Sequence, residues 1–376
     1  MKPLRLAIIG CGHICQQYGT HIQKHSEHLQ IAGATDLDFS RAEAFCAKYG
    51  GKAYDSFEAI LSDPDVDVVV NLTVHHAHFE LNSRALKAGK HVFTEKPMAL
   101  TYAQAVELAK IAQENNRRLG AAPVTFLGEG IQTTAKFLEA DKLGPLRLVY
   151  AEVNWGQIER WISAPAPYYT VGPLLDVGVY AITALTFLLG PVRRVWGYST
   201  ILKSSRSGKD GQEVSVTAPD FTTGMMEFAS GVVARITTNY YVPNKNQAHL
   251  RGFEFHGDEG TFSVSDYHGF SAKCRFIPYH EEPVAIPLLR PAADRMDRAL
   301  GLVEMAEAIH ENRPHRGSPD HASHVIEIME GLQKSSDESR FVEIHSTLQK
   351  PALMPWAQKL SLVIPEEHST LSPKTL

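Results

Sequence analysis

The chain has 376 residues, of which 44% are hydrophobic and 21% are charged, and its formal net charge is -5 at pH 7. This composition is typical of a folded protein of two or three domains rather than a disordered chain. The net negative charge argues against general nucleic-acid binding, which needs clustered Lys and Arg to neutralise phosphates. Small molecules are therefore the expected partners.

The apolar run from Leu4 to Ile9 opens the sequence, and we interpret it as a buried strand because it is too short for a signal peptide. No stretch approaches the roughly 20 apolar residues of a membrane span, so no membrane partner is expected. The cysteines show neither a disulfide framework nor metal-ligand spacing, which makes a reducing cytoplasm the expected location. They are Cys11, Cys15, Cys46 and Cys274.

A glycine-rich turn follows this strand and precedes a helical stretch. It reads Gly10-Cys11-Gly12-His13-Ile14-Cys15, the pattern G-x-G-x-x-(small). The first glycine permits a tight turn, the second lets a pyrophosphate approach the backbone, and the small last residue lets helix pack on strand. Free N–H groups at the helix N-terminus favour the phosphates. Cys11 and Cys15 are either a redox-sensitive pair at this terminus or small residues filling tight space, and we favour the second interpretation.

The next strand-like segment, "IAGATDLD", supplies the context that the glycine motif needs. Asp36 follows the turn by about 20 positions, the separation at which a carboxylate meets the ribose hydroxyls. Asp36 alternatively caps the following helix, although Asp38 and Ser40 are better placed to do so. A carboxylate there repels the 2′-phosphate of NADP, so NAD is the expected cofactor. NADP stays possible because the positive charge of Arg41 can reduce the preference for NAD.

Strands and helices alternate through the rest of the first third. "DVDVVVNLT" and "KHVFTEKP" read as strands, and "HFELNSRALKAG" and "TYAQAVELAKIAQENN" as helices, one closed by Gly89 and one opened by Thr101. This alternation predicts a parallel doubly wound sheet. Ligands in such sheets bind at the carboxyl ends of the strands, which points to Gly10–Ile14, Asp36, Thr73–His78 and Glu95–Pro97.

The glycine turn, Asp36 and the triplet Glu95-Lys96-Pro97, in this order and spacing, resemble the Gfo/Idh/MocA family of NAD(P)-dependent oxidoreductases. The resemblance spans nearly the whole chain. It implies an N-terminal Rossmann domain and a C-terminal open, mainly antiparallel sheet domain flanked by helices. It also implies a dehydrogenase or reductase acting on a sugar, inositol or related polyol, and it matches His78 to a recurrent family histidine near the nicotinamide.

A second motif of the family corresponds to "TVGPLLDVGVYAIT", residues 170–183, in which Val171 stands where many relatives carry glycine. Asp176 and Tyr180 are four positions apart and share one face of a helix. In the family, an Asp and a His or Tyr at these positions surround the reacting carbon together with the Lys of the triplet. The resemblance therefore implies Lys96, Asp176 and Tyr180 as catalytic residues.

Oxidation of a carbinol requires a base near its hydroxyl proton. Tyr180 can serve if a cation, for which Lys96 is the candidate, lowers its pKa from about 10 toward neutrality. In the alternative, Lys96 itself carries the proton. Asp176 then orients Lys96 or a second hydroxyl. The plainer interpretations are a solvated Lys96 and a Tyr180 that only packs in the core.

Three histidines, His75, His76 and His78, look like a metal cluster but lack a carboxylate or cysteine partner. We expect loop residues near the nicotinamide and no metal. The segment "NWGQIERWISAPAPYY" is rich in aromatic faces and donors suited to a sugar ring, or to packing at a domain junction. Its candidate substrate residues are Arg160, Trp161 and Tyr168, beside Asn154, Trp155 and Tyr169.

The predicted organisation is a Rossmann domain over 1–125, a substrate-binding and oligomerisation domain over 126–345, and a C-terminal tail over 346–376. In the second domain, strand-like segments recur, with hairpin turns at residues 229–231 and 258–260, and residues 204–220 read as a loop or lid. The family resemblance implies a homodimer or homotetramer formed through the C-terminal sheet.

Three functions are compatible with these residues. The leading hypothesis is an NAD(P)-dependent sugar or polyol dehydrogenase. The second is an NAD-dependent glycosidase that uses transient oxidation, and the third is a cofactor-binding regulator without catalysis. The presence of Lys96, Asp176 and Tyr180 argues against the third.

Overall fold

The structure, a computed structural model, describes residues 2–242 and 251–365. Its first sheet is entirely parallel, with strands in the order β3-β2-β1-β4-β5-β6. The order reverses between β1 and β4, which opens the crevice where such sheets bind ligands. The strands are β1 Leu4–Ile9, β2 Leu29–Thr35, β3 Lys52–Ala53, β4 Val68–Asn71, β5 His91–Thr94 and β6 Leu119–Ala121.

Five helices flank this sheet: α1 His13–Lys24, α2 Phe39–Tyr49, α3 Phe57–Ser62, α4 His78–Lys87 and α5 Tyr102–Glu114. Because helices cover both faces, β4 is buried along its whole length and β1 is buried from Leu6 to Ile9, without the alternation of a half-exposed strand. Side chains of Asp38 and Thr101 cap α2 and α5, as the sequence predicts. The doubly wound Rossmann fold is confirmed.

The second sheet has nine strands in the order β16-β15-β14-β13-β7-β12-β11-β8-β17. Only β7 and β12 pair in parallel, so the sheet is mainly antiparallel, as predicted. Two further strands, β9 and β10, form a separate hairpin within the segment predicted as a loop or lid. The strands are β7 Leu146–Asn154, β8 Val192–Thr200, β9 Ser205–Ser207, β10 Glu213–Ser215, β11 Phe221–Phe228, β12 Val233–Asn239, β13 Arg251–Gly257, β14 Gly260–Val264, β15 Cys274–Pro278, β16 Val284–Ile286 and β17 Val342–Glu343.

The helices beside this sheet are α6 Glu129–Glu139, α7 Ala166–Tyr169, α8 Val179–Leu189, α9 Leu300–His310, α10 Pro319–Glu338 and α11 Pro355–Lys359. Helix α10 packs on β8, α8 and α5, and so joins the two sheets. Strand β11 alternates half-buried and buried residues, which places one face of the sheet in the core. Trp196 and Tyr198 on β8 are 38% and 51% exposed.

The described part of the predicted tail packs on its own chain. The Met354 N–H donates to Gln132 Oε1 at 2.8 Å, and the Arg316 guanidinium donates to the carbonyl oxygens of Ala352 and Leu353. Residues 366–376 of that tail lie outside the described residues. In the described ranges, no helix has both the length and the apolar character needed to cross a membrane. The domain limits at residues 125 and 345 stay predictions.

Candidate active site

The glycine turn between β1 and α1 has the backbone that its sequence predicts. Gly10 has φ +89°, and a Cβ there would lie 2.9 Å from the backbone of Leu72 and Thr73, so only glycine fits. At Gly12 no heavy atom from beyond the adjoining residues lies within 4 Å of the position that a Cβ would take, and no side chain caps α1. The N–H groups of His13 and Ile14 in the first turn of α1 therefore adjoin open space, which fits a pyrophosphate.

Asp36 lies at the carboxyl end of β2, beside the turn. Its Oδ2 accepts the Cys11 N–H at 2.7 Å and its Oδ1 accepts the Asp38 N–H at 2.9 Å. These two bonds fix the carboxylate where a ribose of a dinucleotide would lie. Asp38 rather than Asp36 caps α2, and Arg41 pairs with Asp38 at 3.3 Å. Arg41 therefore pairs with Asp38 and not with Asp36.

Cys11 and Cys15 are both buried beside the turn. The Cys11 thiol lies 3.7 Å from the Thr35 carbonyl oxygen, and Cys15 has no exposed surface. Cys15 thus occupies the small position where α1 packs on the sheet. This placement supports the space-filling interpretation of the pair.

The loop after β4 is tied to the loop after β5 by His78. The fully buried imidazole places Nδ1 2.8 Å from the Pro97 carbonyl oxygen and Nε2 3.1 Å from the Thr73 carbonyl oxygen. The Thr73 hydroxyl donates to Asn71 Oδ1 at 2.7 Å. His78 therefore holds two loops of the crevice together. In the described ranges no group of His, Cys, Asp and Glu side chains is arranged to hold a metal ion.

Lys96, at the carboxyl end of β5, forms the centre of the site. Its Nζ donates to Asp176 Oδ1 at 2.6 Å and to the Asp176 carbonyl oxygen at 2.7 Å, and lies 5.5 Å from the centre of the Tyr180 ring. The side chains of Lys96 and Asp176 are only 13% and 9% exposed. The structure thus brings together the three residues predicted as catalytic, from two domains of the chain.

A π-helical turn, Leu174–Gly178, carries Asp176, and Tyr180 follows in the first turn of α8. Such turns are rare and often occur at functional sites. The spacing of Asp176 and Tyr180 predicts that both lie on one regular α-helix, and the structure differs from this prediction. Both residues nevertheless contact Lys96. The wider turn lets Asp176 present a carboxylate oxygen and its carbonyl oxygen to the same ammonium group.

The charges of Lys96 and Asp176 stabilise each other. Burial disfavours the ammonium form of Lys96, but the negative charge of Asp176 outweighs it and raises the pKa of Lys96 above its ordinary value. Burial likewise disfavours the Asp176 carboxylate, yet Lys96 and a hydrogen bond from Tyr240 lower the pKa of Asp176. At neutral pH the pair is an ammonium and a carboxylate.

The pKa of Tyr180 differs from the expectation that Lys96 lowers it toward neutrality. Burial raises the pKa of the phenol, and the positive charge of Lys96 offsets this only in part. Burial and the charge of Lys96 also lower the pKa of nearby His75 to about 4, so His75 is neutral at pH 7. Tyr180 is therefore a neutral phenol rather than a phenolate base.

Glu95 has several buried partners of its own. Its Oε1 accepts the Tyr18 hydroxyl at 2.9 Å and lies 3.6 Å from Arg298 Nη1, and its Oε2 accepts the Lys96 N–H at 3.1 Å. Burial disfavours the charged form of Arg298, but the charge of Glu95, together with Tyr180 and a hydrogen bond to it, outweighs burial and raises the pKa of Arg298. Glu95 thus links Tyr18, Arg298 and the backbone of Lys96 beside the site, and its contact with the cofactor stays a prediction.

Sequence reasoning missed Tyr240 and Arg298. The buried Tyr240 hydroxyl donates to Asp176 Oδ2 at 2.6 Å, so both carboxylate oxygens of Asp176 are held. Tyr240 follows β12, and its distance along the chain from Asp176 leaves no local pattern to detect. Arg298 lies in a segment that returns to α1, where its Nε donates to Gln17 Oε1 at 2.8 Å.

The aromatic residues of the 154–169 segment divide into two groups. Trp161, 48% exposed, lies 6.2 Å from the Trp155 ring, Trp155 lies 5.4 Å from His268, and His268 lies 4.5 Å from Tyr180, measured between ring centroids. These rings form an aromatic row from the surface to the Lys96 site. Tyr169 instead is fully buried and donates to Glu159.

The other two candidate substrate residues, Tyr168 and Arg160, differ in their exposure to solvent. Tyr168 is half-buried, and burial followed by the charge of Asp176 raises its pKa, which places it beside the Lys96 site. Arg160 is exposed and donates from Nε to Gln157 Oε1 at 2.5 Å. Tyr168 is therefore near the predicted reacting centre, whereas Arg160 is at the surface.

The fold and this site together define an oxidoreductase with a dinucleotide-binding Rossmann domain. Residues 4–122 match the oxidoreductase family GFO/IDH/MocA with its NAD-binding Rossmann fold, and residues 131–263 match the GFO/IDH/MocA C-terminal domain. The chain belongs to this family, which confirms the resemblance seen in the sequence and the expectation of an oxidoreductase.

Individual relatives are similar over most of their length. Trans-1,2-dihydrobenzene-1,2-diol dehydrogenase of Bos taurus is 28% identical over 66% of this chain and 72% of that protein. 1,5-anhydro-D-fructose reductase of Ensifer adhaerens is 30% identical over 62% of this chain and 67% of that protein. The crystal structure of aldose-aldose oxidoreductase from Caulobacter crescentus has a TM-score of 0.76 at 21% identity, covering 91% of this chain and 100% of that one.

Proposed function

We propose that the protein is a dehydrogenase or reductase that transfers a hydride between NAD and a hydroxyl or carbonyl carbon of a sugar, inositol or related polyol. The observation that carries this proposal is the buried contact of Lys96 Nζ with Asp176 Oδ1 at 2.6 Å, beside Tyr180. An ammonium held at the carboxyl end of β5 can bind the oxygen of a reacting carbinol. The named relatives act on a diol and on a sugar derivative, which supports the same substrate class.

The residues present fit a nicotinamide dinucleotide. The open space at Gly12 and the N–H groups of His13 and Ile14 would receive the pyrophosphate, and Asp36 would receive a ribose. The loop of Thr73 and His78 would adjoin the nicotinamide end. When bound, this cofactor supplies the acceptor or donor of the hydride.

Lys96 has two roles in this proposal. Its ammonium donates a hydrogen bond to the substrate oxygen and stabilises the negative charge that develops there. In the reducing direction it gives this oxygen a proton. The oxidising direction is the reverse step and needs the neutral amine, which the raised pKa of Lys96 disfavours, so the site is better suited to reduction. The pKa of Lys96 and that of Tyr180 are both raised, so both groups are protonated at neutral pH. Lys96 is the proposed proton donor because its positive charge also stabilises the negative charge on the substrate oxygen. Tyr180 and Asp176 then orient the substrate and Lys96.

NAD rather than NADP is the proposed cofactor because the Asp36 carboxylate lies beside the turn and Arg41 is paired with Asp38. A 2′-phosphate at Asp36 would meet a like charge without a free guanidinium to offset it. We also propose a homodimer or homotetramer. The exposed Trp196 and Tyr198 on β8 belong to the sheet face that a second copy would cover.

The experiment is to follow nicotinamide absorbance after mixing the protein with NAD or NADP and a panel of aldoses, inositols, sugar acids and glycosides. Reduction of NAD by a sugar or polyol supports the proposal. Tight NAD binding without reduction across the panel would contradict it. Cleavage of a glycoside without accumulation of NADH would instead establish the glycosidase, with Lys96→Ala as the control for contaminating activity.

A further inference from the structure

A cavity of 380 Å³ lies beyond the aromatic row, between the 157–160 segment and the β9–β10 hairpin. Three cationic side chains line it: Arg160, Lys203 and Lys209. Within the described ranges, none of the three has a carboxylate within 4.0 Å. Three positive side chains around one cavity repel one another unless an anion joins them.

Glu159 is the one carboxylate among the residues that line this cavity, and it pairs with a buried arginine rather than with the three cationic side chains. Glu159 lies 3.6 Å from the guanidinium of Arg206, whose side chain is 1% exposed, and it accepts the hydroxyl of Tyr169. Arg206 also pairs with buried Asp220. Glu159 is thus committed to a buried network behind the cavity wall, and the cationic side chains face the open space.

The acidic residues of the hairpin are likewise engaged. Asp210 Oδ1 accepts the Gln212 N–H at 3.0 Å and so closes the hairpin turn, and Glu213 accepts the hydroxyl of Ser205 on the opposite strand. The residues that line the cavity carry three positive charges, on Arg160, Lys203 and Lys209, against the one negative charge of Glu159. Guanidinium groups bind phosphate and carboxylate oxygens through paired N–H donors, and ammonium groups add point charges.

The cavity adjoins the outer end of the aromatic row. Lys209 Nζ lies 3.4 Å from the Trp161 carbonyl oxygen, and Arg160 precedes Trp161 in the chain. From Trp161 the row passes through Trp155 and His268 to Tyr180 at the Lys96 site. Sugar rings pack on aromatic faces, so one elongated ligand can span from Lys96 to the cavity.

We propose that this cavity is a subsite for an anionic substituent, a phosphate or a carboxylate, of the sugar or polyol that reacts at Lys96. The inference rests on the proposed function and narrows its substrate to an anionic sugar. Arg160 and Lys203 hold the anion, and Lys209 closes over it from the hairpin. The anion lies on a part of the substrate remote from the reacting carbon.

The first test measures binding without turnover. Inorganic pyrophosphate is titrated into the NAD-loaded protein at low ionic strength while tryptophan fluorescence is followed, because Trp161 adjoins Lys209. The double variant Lys203→Ala/Lys209→Ala should weaken pyrophosphate binding by at least about tenfold, whereas Lys110→Ala, a surface lysine of α5, should not. Equal binding by the wild type and the double variant would overturn the subsite.

The second test compares matched substrates. Two elongated anionic compounds, a nucleoside diphosphate glucose and an oligosaccharide that ends in glucuronate, are each compared with the matching neutral sugar. Arg160→Ala should raise KM for the charged compound by about tenfold with kcat kept. The arm that loses affinity identifies phosphate or carboxylate as the anion. Pyrophosphate binding without turnover of any sugar would contradict the proposed function and leave the subsite standing. If the ratio of KM for the charged substrate to KM for the neutral one were the same in the wild type and in Arg160→Ala, the subsite would be overturned and the proposed function would stand.

Discussion

The Tyr240 hydroxyl donates to Asp176 Oδ2 at 2.6 Å, on the side of the carboxylate opposite to Lys96. Tyr240 has no exposed surface, so no water replaces its hydroxyl. The carboxylate is held between a phenol and an ammonium, which fixes the direction in which Lys96 presents its one remaining proton. Tyr240 is therefore a positioning residue that acts through Asp176.

Tyr240→Phe should lower kcat by roughly tenfold or more, because a hydrogen bond to a buried charged group contributes about 1.5–3 kcal/mol. The hydroxyl also lowers the pKa of Asp176, so its loss raises that pKa. The acid limb of the pH–rate profile should therefore move to higher pH, because Asp176 is protonated earlier as the pH falls.

Tyr54→Phe is the matched control, since the Tyr54 hydroxyl donates to Asp63 Oδ2 at 2.8 Å far from the site. It should lower stability and leave the acid limb in place. A Tyr240→Phe protein with a shifted midpoint of unfolding but an unchanged pH profile would show that Tyr240 is merely structural.

Lys96→Ala should reduce kcat by about 10²–10⁴-fold, the usual contribution of a positioned acid or base, while NAD binding measured by fluorescence is retained. Tyr180→Phe should reduce kcat less than Lys96→Ala does and should keep the pH–rate profile of the wild type, because burial raises the pKa of Tyr180 and keeps it protonated. A pH profile that flattens in Tyr180→Phe would instead make Tyr180 the proton carrier. Near-normal turnover of Lys96→Ala would remove Lys96 from the reaction.

The cofactor crevice and the catalytic lysine are predictable from the sequence because their signals are local. Gly10, Gly12, Asp36 and Lys96 each lie just beyond the carboxyl end of a strand, and the carboxyl ends of parallel strands meet at one edge of the sheet. Their meeting therefore requires only the alternation of strands and helices. The mainly antiparallel second sheet follows from its hairpin turns in the same way.

Long-range pairing places the residues that sequence reasoning missed. Tyr240 reaches Asp176 because β12 pairs in parallel with β7, a pairing that no hairpin signal indicates. Arg298 reaches Glu95 through an irregular segment that crosses from one domain to the other. The raised pKa of Tyr180 escaped prediction for a different reason, since the nearby cation can be inferred from the sequence, whereas the degree of burial cannot.

Asp36→Asn should weaken NAD binding more than NADP binding, because it removes the charge that orders a ribose diol and repels a 2′-phosphate. About a tenfold change in the ratio of the two dissociation constants is expected, measured by fluorescence titration. Asp38→Asn removes a carboxylate two residues away that caps α2 and pairs with Arg41. This control should leave the ratio within about twofold of the wild type. Equal ratios in the two variants would place the ribose elsewhere.

The last prediction concerns the contact between α1 and the segment that carries Arg298. His25 Nε2 lies 2.6 Å from Asp297 Oδ2, and this hydrogen bond raises the pKa of His25. Burial opposes ionisation of Asp297, but the bond and charge of His25 outweigh it and lower the pKa of Asp297. The pKa of nearby His21 shifts in the opposite direction to that of His25, because burial lowers it.

His25→Gln should therefore destabilise the protein most between about pH 4 and pH 6.5, where His25 and Asp297 are both charged. A raised histidine pKa contributes stability that is complete below the unfolded value of about 6.5 and is lost as the pH rises through the folded value. A lowered aspartate pKa contributes stability that is lost as the pH falls below about 4. The difference in unfolding free energy should reach about 1 kcal/mol at most.

Denaturant unfolding of wild type and His25→Gln at a series of pH values measures this difference, and His21 is present in both proteins, so its opposing titration cancels. A difference that grows as the pH rises above 6.5 would have the wrong sign for a raised His25 pKa. Asp297→Asn should remove the same pH dependence, because the charge of His25 then lacks its partner. If His25→Gln still changed the pH dependence in an Asp297→Asn background, the charge of His25 would be balanced by another group.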